Sequence, residues 1–123
     1  MAADARVLLA ERTQQPVASK VSVARSLPER MKGLLGRDAL SQEEALVFPD
    51  CASIHTVGMR IAIDVIFVDR GWKVVAVREG LPPGRLVMPV KGAWGVVEMA
   101  QGSLSKAKLG VGDQLRLIAA NGR

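Results

Sequence analysis

The stretch Ile61-Ala-Ile-Asp-Val-Ile-Phe-Val68 is rich in β-branched residues and apolar on both faces, apart from Asp64. A run of this length and composition predicts a strand that is covered on both sides within a sheet. Asp69-Arg70-Gly71 follows as a turn signal, and residues 72–78 then return as the second arm of a hairpin. This hairpin sets the expected fold class.

Shorter apolar runs on either side of the hairpin predict further strands. They occupy residues 7–9, 17–23, 94–99 and 114–119, while 45–48 is a short apolar run without an assigned element. Stiff Pro- and Gly-containing loops are expected at 81–85 and 89–92. A capping box at Ser26-Leu-Pro-Glu29 predicts a helix that Gly36 ends, and residues 104–109 predict a second, short one. We therefore predict an α+β fold that is β-rich: a mostly antiparallel curled sheet or small barrel with one or two short helices.

Composition limits the class of protein. The 123 residues, 49% of them hydrophobic, suit a single domain over 1–123, and no apolar run has the roughly 18–20 residues of a membrane span. One cysteine and a start without signal-peptide character favour a cytoplasmic location and exclude an internal disulfide. The charge of +5 comes from scattered basic residues, and the chain has no tyrosine, which argues against nucleic acid as the partner.

Residues 51–59 hold the only cysteine and the only histidine of the chain. On a strand, Cys51 and His55 would stand about 13 Å apart and could meet only through a bend. We therefore do not expect this pair to form a catalytic dyad. If the chain turns back after Gly58, His55 and Asp64 meet across neighbouring strands. Asp64 needs a partner in its apolar strand, either a backbone amide, an arginine or His55. A His–Asp pair can act as a base, as a ligand or as a structural pair.

Other side chains complete the candidate cleft. Glu98 is a second carboxylate within an apolar run, and Thr56, Met59 and Trp94 are candidate lining residues. Cys51 is interpreted as a small buried hydrophobe, with a reactive thiol as the alternative. No metal site is assigned, because a zinc site would need carboxylates or a second chain beside one His and one Cys. The residues leave the cofactor and the catalytic set unknown.

Four segments together carry a resemblance. They are Arg30-Met-Lys-Gly-Leu-Leu-Gly-Arg37, residues 55–69, Val96-Val-Glu98 and Gly110-Val-Gly-Asp113. In this order they resemble domain-of-unknown-function family 192, small uncharacterised bacterial and archaeal proteins, over about residues 20–118. The resemblance implies a compact β-rich domain with a barrel-like sheet and brings no established reaction. Many members have an aromatic-Met-Lys-Asn-Thr stretch where this chain has residues 55–59, whereas Asp64 and Glu98 fit the shared pattern.

Three functional hypotheses follow. The first is a non-catalytic ligand-binding or interaction module whose cleft near His55 and Asp64 takes an unknown small molecule or protein. The alternative is a small metal-dependent or acid–base hydrolase that uses His55 with Asp64. The third, a protein that contacts polyanions, rests only on the isoelectric point of about 10.0.

Overall fold

A computed structural model describes residues 6–25 and 34–119 of the chain. Within these ranges, the secondary structure is, in order, β1 (Arg6–Ala10), β2 (Gln15–Val23), β3 (Glu44–Phe48), β4 (Ile54–His55), β5 (Ile63–Val68), β6 (Val74–Leu81), β7 (Leu86–Val87), β8 (Gly95–Ala100), α1 (Ser103–Ala107) and β9 (Leu115–Ala119). The expected strands are confirmed, and α1 corresponds to the second expected helix. The helix expected from Ser26 falls on residues 26–33, outside the described ranges.

Seven strands form one curled sheet in the order β6-β5-β8-β3-β2-β1-β9. All neighbours are antiparallel except β2 and β3, which run parallel. The predicted hairpin is β5–β6, and β5 also pairs with β8, so all six of its residues are buried. The ends of the sheet approach each other through a bridge between Lys73 and Gln114. Over residues 6–25 and 34–119 the result is a half-barrel with one short helix, so the α+β class fits these ranges only loosely.

The two faces of the sheet are covered differently. Side chains that alternate along β5 divide between them, with Ile66 and Val68 on one face and Ile63, Val65 and Phe67 on the other. The first face packs against Leu104 of α1 and is called the helix face. The second packs against Ile54 of β4 and Val87 of β7 and is called the ribbon face.

The ribbon itself is the two-stranded sheet β4–β7, which lies over the ribbon face. Ile54 and Val87 face each other in register and are both buried. Backbone hydrogen bonds extend the pairing beyond the strands, from Val90 N–H to the Ala52 carbonyl at 2.8 Å and from Thr56 N–H to that of Arg85 at 2.7 Å. The sequence did not predict this ribbon. No helix in the described ranges is long and apolar enough to cross a membrane.

Candidate functional site

Asp64 lies on the helix face and is only 1% exposed. Its Oδ1 accepts a hydrogen bond from Gly80 N–H at 2.8 Å, and its Oδ2 accepts two, from Gly102 and Leu104 N–H, at 3.0 Å each. Gly80 reaches this position because β6 has an irregular register there, with a left-handed φ of 59°. Gly102 is the N-cap residue of α1, so Asp64 supplies from β5 the acceptor that a helix start needs.

This arrangement gives Asp64 a structural task. Its carboxylate joins β5 to β6 and to the start of α1, and the charged acceptor strengthens each of the three bonds. Of the partners that the sequence left open for Asp64, the backbone amide is confirmed.

The expected meeting of His55 and Asp64 across neighbouring strands is wrong. β5 lies between β6 and β8, whereas β4 pairs with β7. His55 is exposed, and its register partner is Leu86. The prediction assumed that strands close in sequence are neighbours in the sheet. In the structure β4 instead pairs with β7 in a separate two-stranded sheet.

Glu98 lies on the ribbon face, on the opposite side of the sheet from Asp64. It stands in register between Leu46 of β3 and Val65 of β5, whereas Asp64 is in register with the next residue, Met99. Glu98 is 5% exposed, and this burial raises the pKa of its carboxyl group to about 7. The two candidate carboxylates therefore do not share a cleft.

Thr56 is completely buried and fastens the ribbon to the loop after β6. Its hydroxyl donates to the Pro82 carbonyl at 2.6 Å and accepts from Arg85 N–H at 2.9 Å. Its carbonyl accepts from Met59 N–H across a tight turn, in which Gly58 has a φ of 88°. Met59 is buried in the ribbon-face cluster. Thr56 and Met59 thus hold the ribbon in place rather than line an open cleft.

Trp94 and Cys51 are connected to each other through the backbone. Cys51 N–H donates to the Trp94 carbonyl at 2.7 Å, while its thiol donates to the Ser53 carbonyl at 3.0 Å. The Trp94 indole N–H donates to Asp50, and its ring packs edge-on against Trp72 with centroids 6.1 Å apart. Trp94 packs on the helix-face cluster, whereas Cys51 packs on the ribbon-face cluster. In the described ranges no three His, Cys, Asp or Glu residues are grouped to hold a metal ion.

The outward side of the ribbon carries a cluster that the sequence analysis did not identify. His55, Val57, Leu86 and Met88 are exposed there, and the residues that alternate with them, such as Thr56 and Val87, are buried. Val57 is 57%, Leu86 70% and Met88 68% exposed. We call these four residues the outer ribbon face.

The sequence segments that form the ribbon and its loops carry basic but no acidic residues. Segments 51–63 and 80–97, which contain the ribbon and its loops, include Arg60, Arg85 and Lys91 but no aspartate or glutamate. Arg60 is paired with Asp38 at 2.9 Å, while Arg85 is exposed beside Leu86. The sequence signals for this face are the lack of acids and the apolar residues 86–88, to which no element is assigned between the loops expected at 81–85 and 89–92.

Comparison with known proteins places the chain by fold. The sequence profile of the DUF192 family, described as "Uncharacterized ACR", matches residues 8–117 and confirms the resemblance. A crystal structure of a protein of unknown function from Novosphingobium aromaticivorans DSM 12444 has a TM-score of 0.76 at 24% identity, covering 91% of this chain and 83% of the other. A presumed transcription regulator from Sinorhizobium meliloti 1021 has a TM-score of 0.79 at 17% identity, covering 91% and 92%. At these identities the likeness concerns the fold alone. No curated protein matches the chain.

Proposed function

Since the chain belongs to the DUF192 family, whose description names no reaction, we propose from its geometry that residues 1–123 act as one non-catalytic binding module. The module docks on its partner through the outer ribbon face. His55, which the sequence analysis placed in a candidate cleft, lies in the middle of this face beside Leu86. The cytoplasmic location expected from the sequence is part of the same proposal.

The observation that carries the proposal is the exposure of large apolar side chains in one place. Five such side chains are exposed in the described ranges, and three of them are Val57, Leu86 and Met88. A fourth, Leu35, lies against the turn that carries Val57, because its Cδ2 is 3.2 Å from the position of a Cβ added at Gly58. The fifth, Val111, lies in the turn before β9, outside the ribbon. A concentration of exposed apolar side chains of this kind marks an interaction surface.

The outer ribbon face is also held in place by the buried side of the ribbon, which packs on the sheet. Ile54 and Val87 pack into the ribbon-face cluster, and the Thr56 hydroxyl closes two hydrogen bonds to the neighbouring loop. A surface that is already ordered loses little conformational freedom when a partner binds, which favours affinity. The hydrogen bonds of the buried Thr56 therefore help to hold the exposed apolar side chains of the ribbon in fixed positions.

The hydrolase alternative has no support from this geometry. It requires Asp64 to orient His55 at an accessible site, but Asp64 is buried and its two oxygens accept three backbone hydrogen bonds. His55 lies in the ribbon on the other side of the sheet. A histidine that acts as general base needs an orienting partner within hydrogen-bond distance.

Site-specific photo-cross-linking tests the proposed docking face. A benzophenone side chain is introduced at Leu86 in one variant and at Val111 in a control, and both variants are irradiated in cells of the natural host. Val111 is a matched control because it is 68% exposed and lies outside the ribbon. We expect a discrete cross-linked product from position 86 that is absent from position 111.

The proposed function is wrong if position 86 gives no product, or the same products as position 111. Loss of the position-86 product after Met88→Ser would confirm that the neighbouring apolar side chain contributes to docking. The mass of the product also reports whether the captured molecule is a lipid or a protein.

A further inference from the structure

The charge around the outer ribbon face limits the chemistry of its partner. Segments 51–63 and 80–97 contain basic residues and no acidic ones, although the whole chain has 12 Asp and Glu residues. Arg85 follows Gly84 at the start of β7, and Lys91 follows β7 by four residues, so both flank the exposed Leu86 and Met88. A partner that fits this face presents anionic groups to Arg85 and Lys91 and accepts aliphatic side chains.

The apolar side chains of this face are aliphatic. The four aromatic residues of the chain lie elsewhere: Phe48 and Phe67 are buried in the ribbon-face cluster, and Trp72 and Trp94 pack on the helix-face cluster. Docking surfaces for proteins are enriched in aromatic anchors, and they combine charges of both signs that fix orientation. The outer ribbon face contains Met88, which protein interfaces also favour, but it has no aromatic side chain and its segments contain no acidic residue.

Val57 lies in the turn that follows β4. Val57 is the second residue of the turn formed by residues 56–59. It follows the buried Thr56 and precedes the exposed Gly58. Val57, Leu86 and Met88 thus present three exposed aliphatic side chains, and the exposed Arg85 and Lys91 flank Leu86 and Met88 in the sequence. Aliphatic side chains that enter the boundary between lipid headgroups and acyl chains, flanked by cations that attract anionic headgroups, are typical of peripheral membrane binding.

We propose that the outer ribbon face binds the surface of a membrane that contains anionic lipid. Val57, Leu86 and Met88 enter the boundary between headgroups and acyl chains, and Arg85 and Lys91 contact the headgroup phosphates. This inference rests on the proposed function and adds the class of partner to it. The binding is peripheral and reversible, because two basic residues and three aliphatic ones form a small contact.

Vesicle co-sedimentation of the full chain tests the inference. Vesicles of pure phosphatidylcholine are compared with vesicles that also contain phosphatidylglycerol. We expect binding to the anionic vesicles, weaker binding to the neutral ones, and loss of affinity when salt shortens the range of the charge interaction. Leu86→Ser with Met88→Ser, which keeps every charge, should weaken binding at least about tenfold. Arg85→Gln with Lys91→Gln should weaken it roughly 25-fold, or about fivefold for each charge.

Val111→Ser is the control and should bind as the wild type does. Thermal unfolding of each variant verifies that the fold is retained, which is expected because every substituted side chain is exposed. The inference is overturned if anionic vesicles do not bind, or if neutral vesicles bind equally well. It is also overturned if the Leu86/Met88 double variant binds unchanged, because the contact would then be a simple polyanion contact. Absence of vesicle binding together with a protein product at position 86 would refute the lipid partner and leave the docking face in place.

Discussion

Replacing Glu98 by glutamine should change how the stability of the protein depends on pH. The carboxyl group is buried on the ribbon face, and this burial raises its pKa from 4.5 to about 7. In the unfolded chain, the same group is expected to titrate near its ordinary value. Between these two values the folded protein keeps a proton that the unfolded chain has already lost.

The sign follows from this difference in bound protons. Below pH 4.5 both states hold the proton and Glu98 adds no pH dependence. As the pH rises from 4.5 to about 7, the unfolded state is favoured progressively. Above pH 7 the free energy of unfolding is about 3 kcal/mol lower than it is below pH 4.5. Glu98→Gln cannot ionise, so its free energy of unfolding should exceed that of the wild type by up to this amount at pH 8 and by little at pH 4.5.

Urea unfolding at pH 4.5, 6, 7 and 8 measures the effect, and thermal unfolding should show a gain in Tm of roughly 10 °C at pH 8. Glu79→Gln is the control, since it removes an exposed carboxylate from β6, which is separated from β8 by β5. If the wild type and Glu98→Gln lose stability equally between pH 4.5 and 8, burial does not hold the Glu98 carboxyl group in its neutral form and the reasoning is refuted.

Three further substitutions test the structural contacts by urea unfolding. Asp64→Ala should lower the free energy of unfolding by about 3 kcal/mol, because the amides of Gly80, Gly102 and Leu104 lose their acceptor; a loss below about 1 kcal/mol would contradict this role. Thr56→Val should cost about 1–3 kcal/mol through its two hydrogen bonds, whereas Thr56→Ser, which keeps the hydroxyl, should cost clearly less. Gly58→Ala should be more destabilising than Gly84→Ala by about 1 kcal/mol, since both positions have a positive φ but only the first meets Leu35; equal losses would show that Leu35 moves aside freely.

The large sheet was predictable wherever its signals are local. The run that forms β5 is apolar throughout, and Asp69 in the following turn accepts hydrogen bonds from Gly71 and Lys73 N–H, as its position in a turn signal suggests. The hairpin β5–β6 therefore follows from about 20 consecutive residues. Parallel pairing of β2 with β3 joins strands on either side of residues 26–33 and has no such local signal.

The ribbon could not be predicted in the same way. Each of its strands has two residues, too few for a periodic pattern. It is held by contacts between distant segments, such as the bond from the Thr56 hydroxyl to Pro82, 26 residues away. The position of His55 depends on this ribbon. Nearness in sequence suggests that His55 and Asp64 lie on neighbouring strands, whereas the strand of His55 pairs with β7 and that of Asp64 with β6 and β8.

Asp64 and Glu98 show why an isolated carboxylate in an apolar strand does not by itself identify a site. Both interrupt fully buried strands, and the sequence around each looks alike. On the helix face, the irregular register at Gly80 and the start of α1 direct three N–H groups at Asp64, so both of its oxygens accept hydrogen bonds. On the ribbon face, Glu98 stands between Leu46 and Val65, and burial favours its neutral form instead. A buried carboxylate can thus be accommodated by hydrogen bonds or by protonation, and backbone groups far away in the chain decide between them. Because neither outcome needs a ligand, the functional conclusion depends on the exposed ribbon rather than on the buried acids.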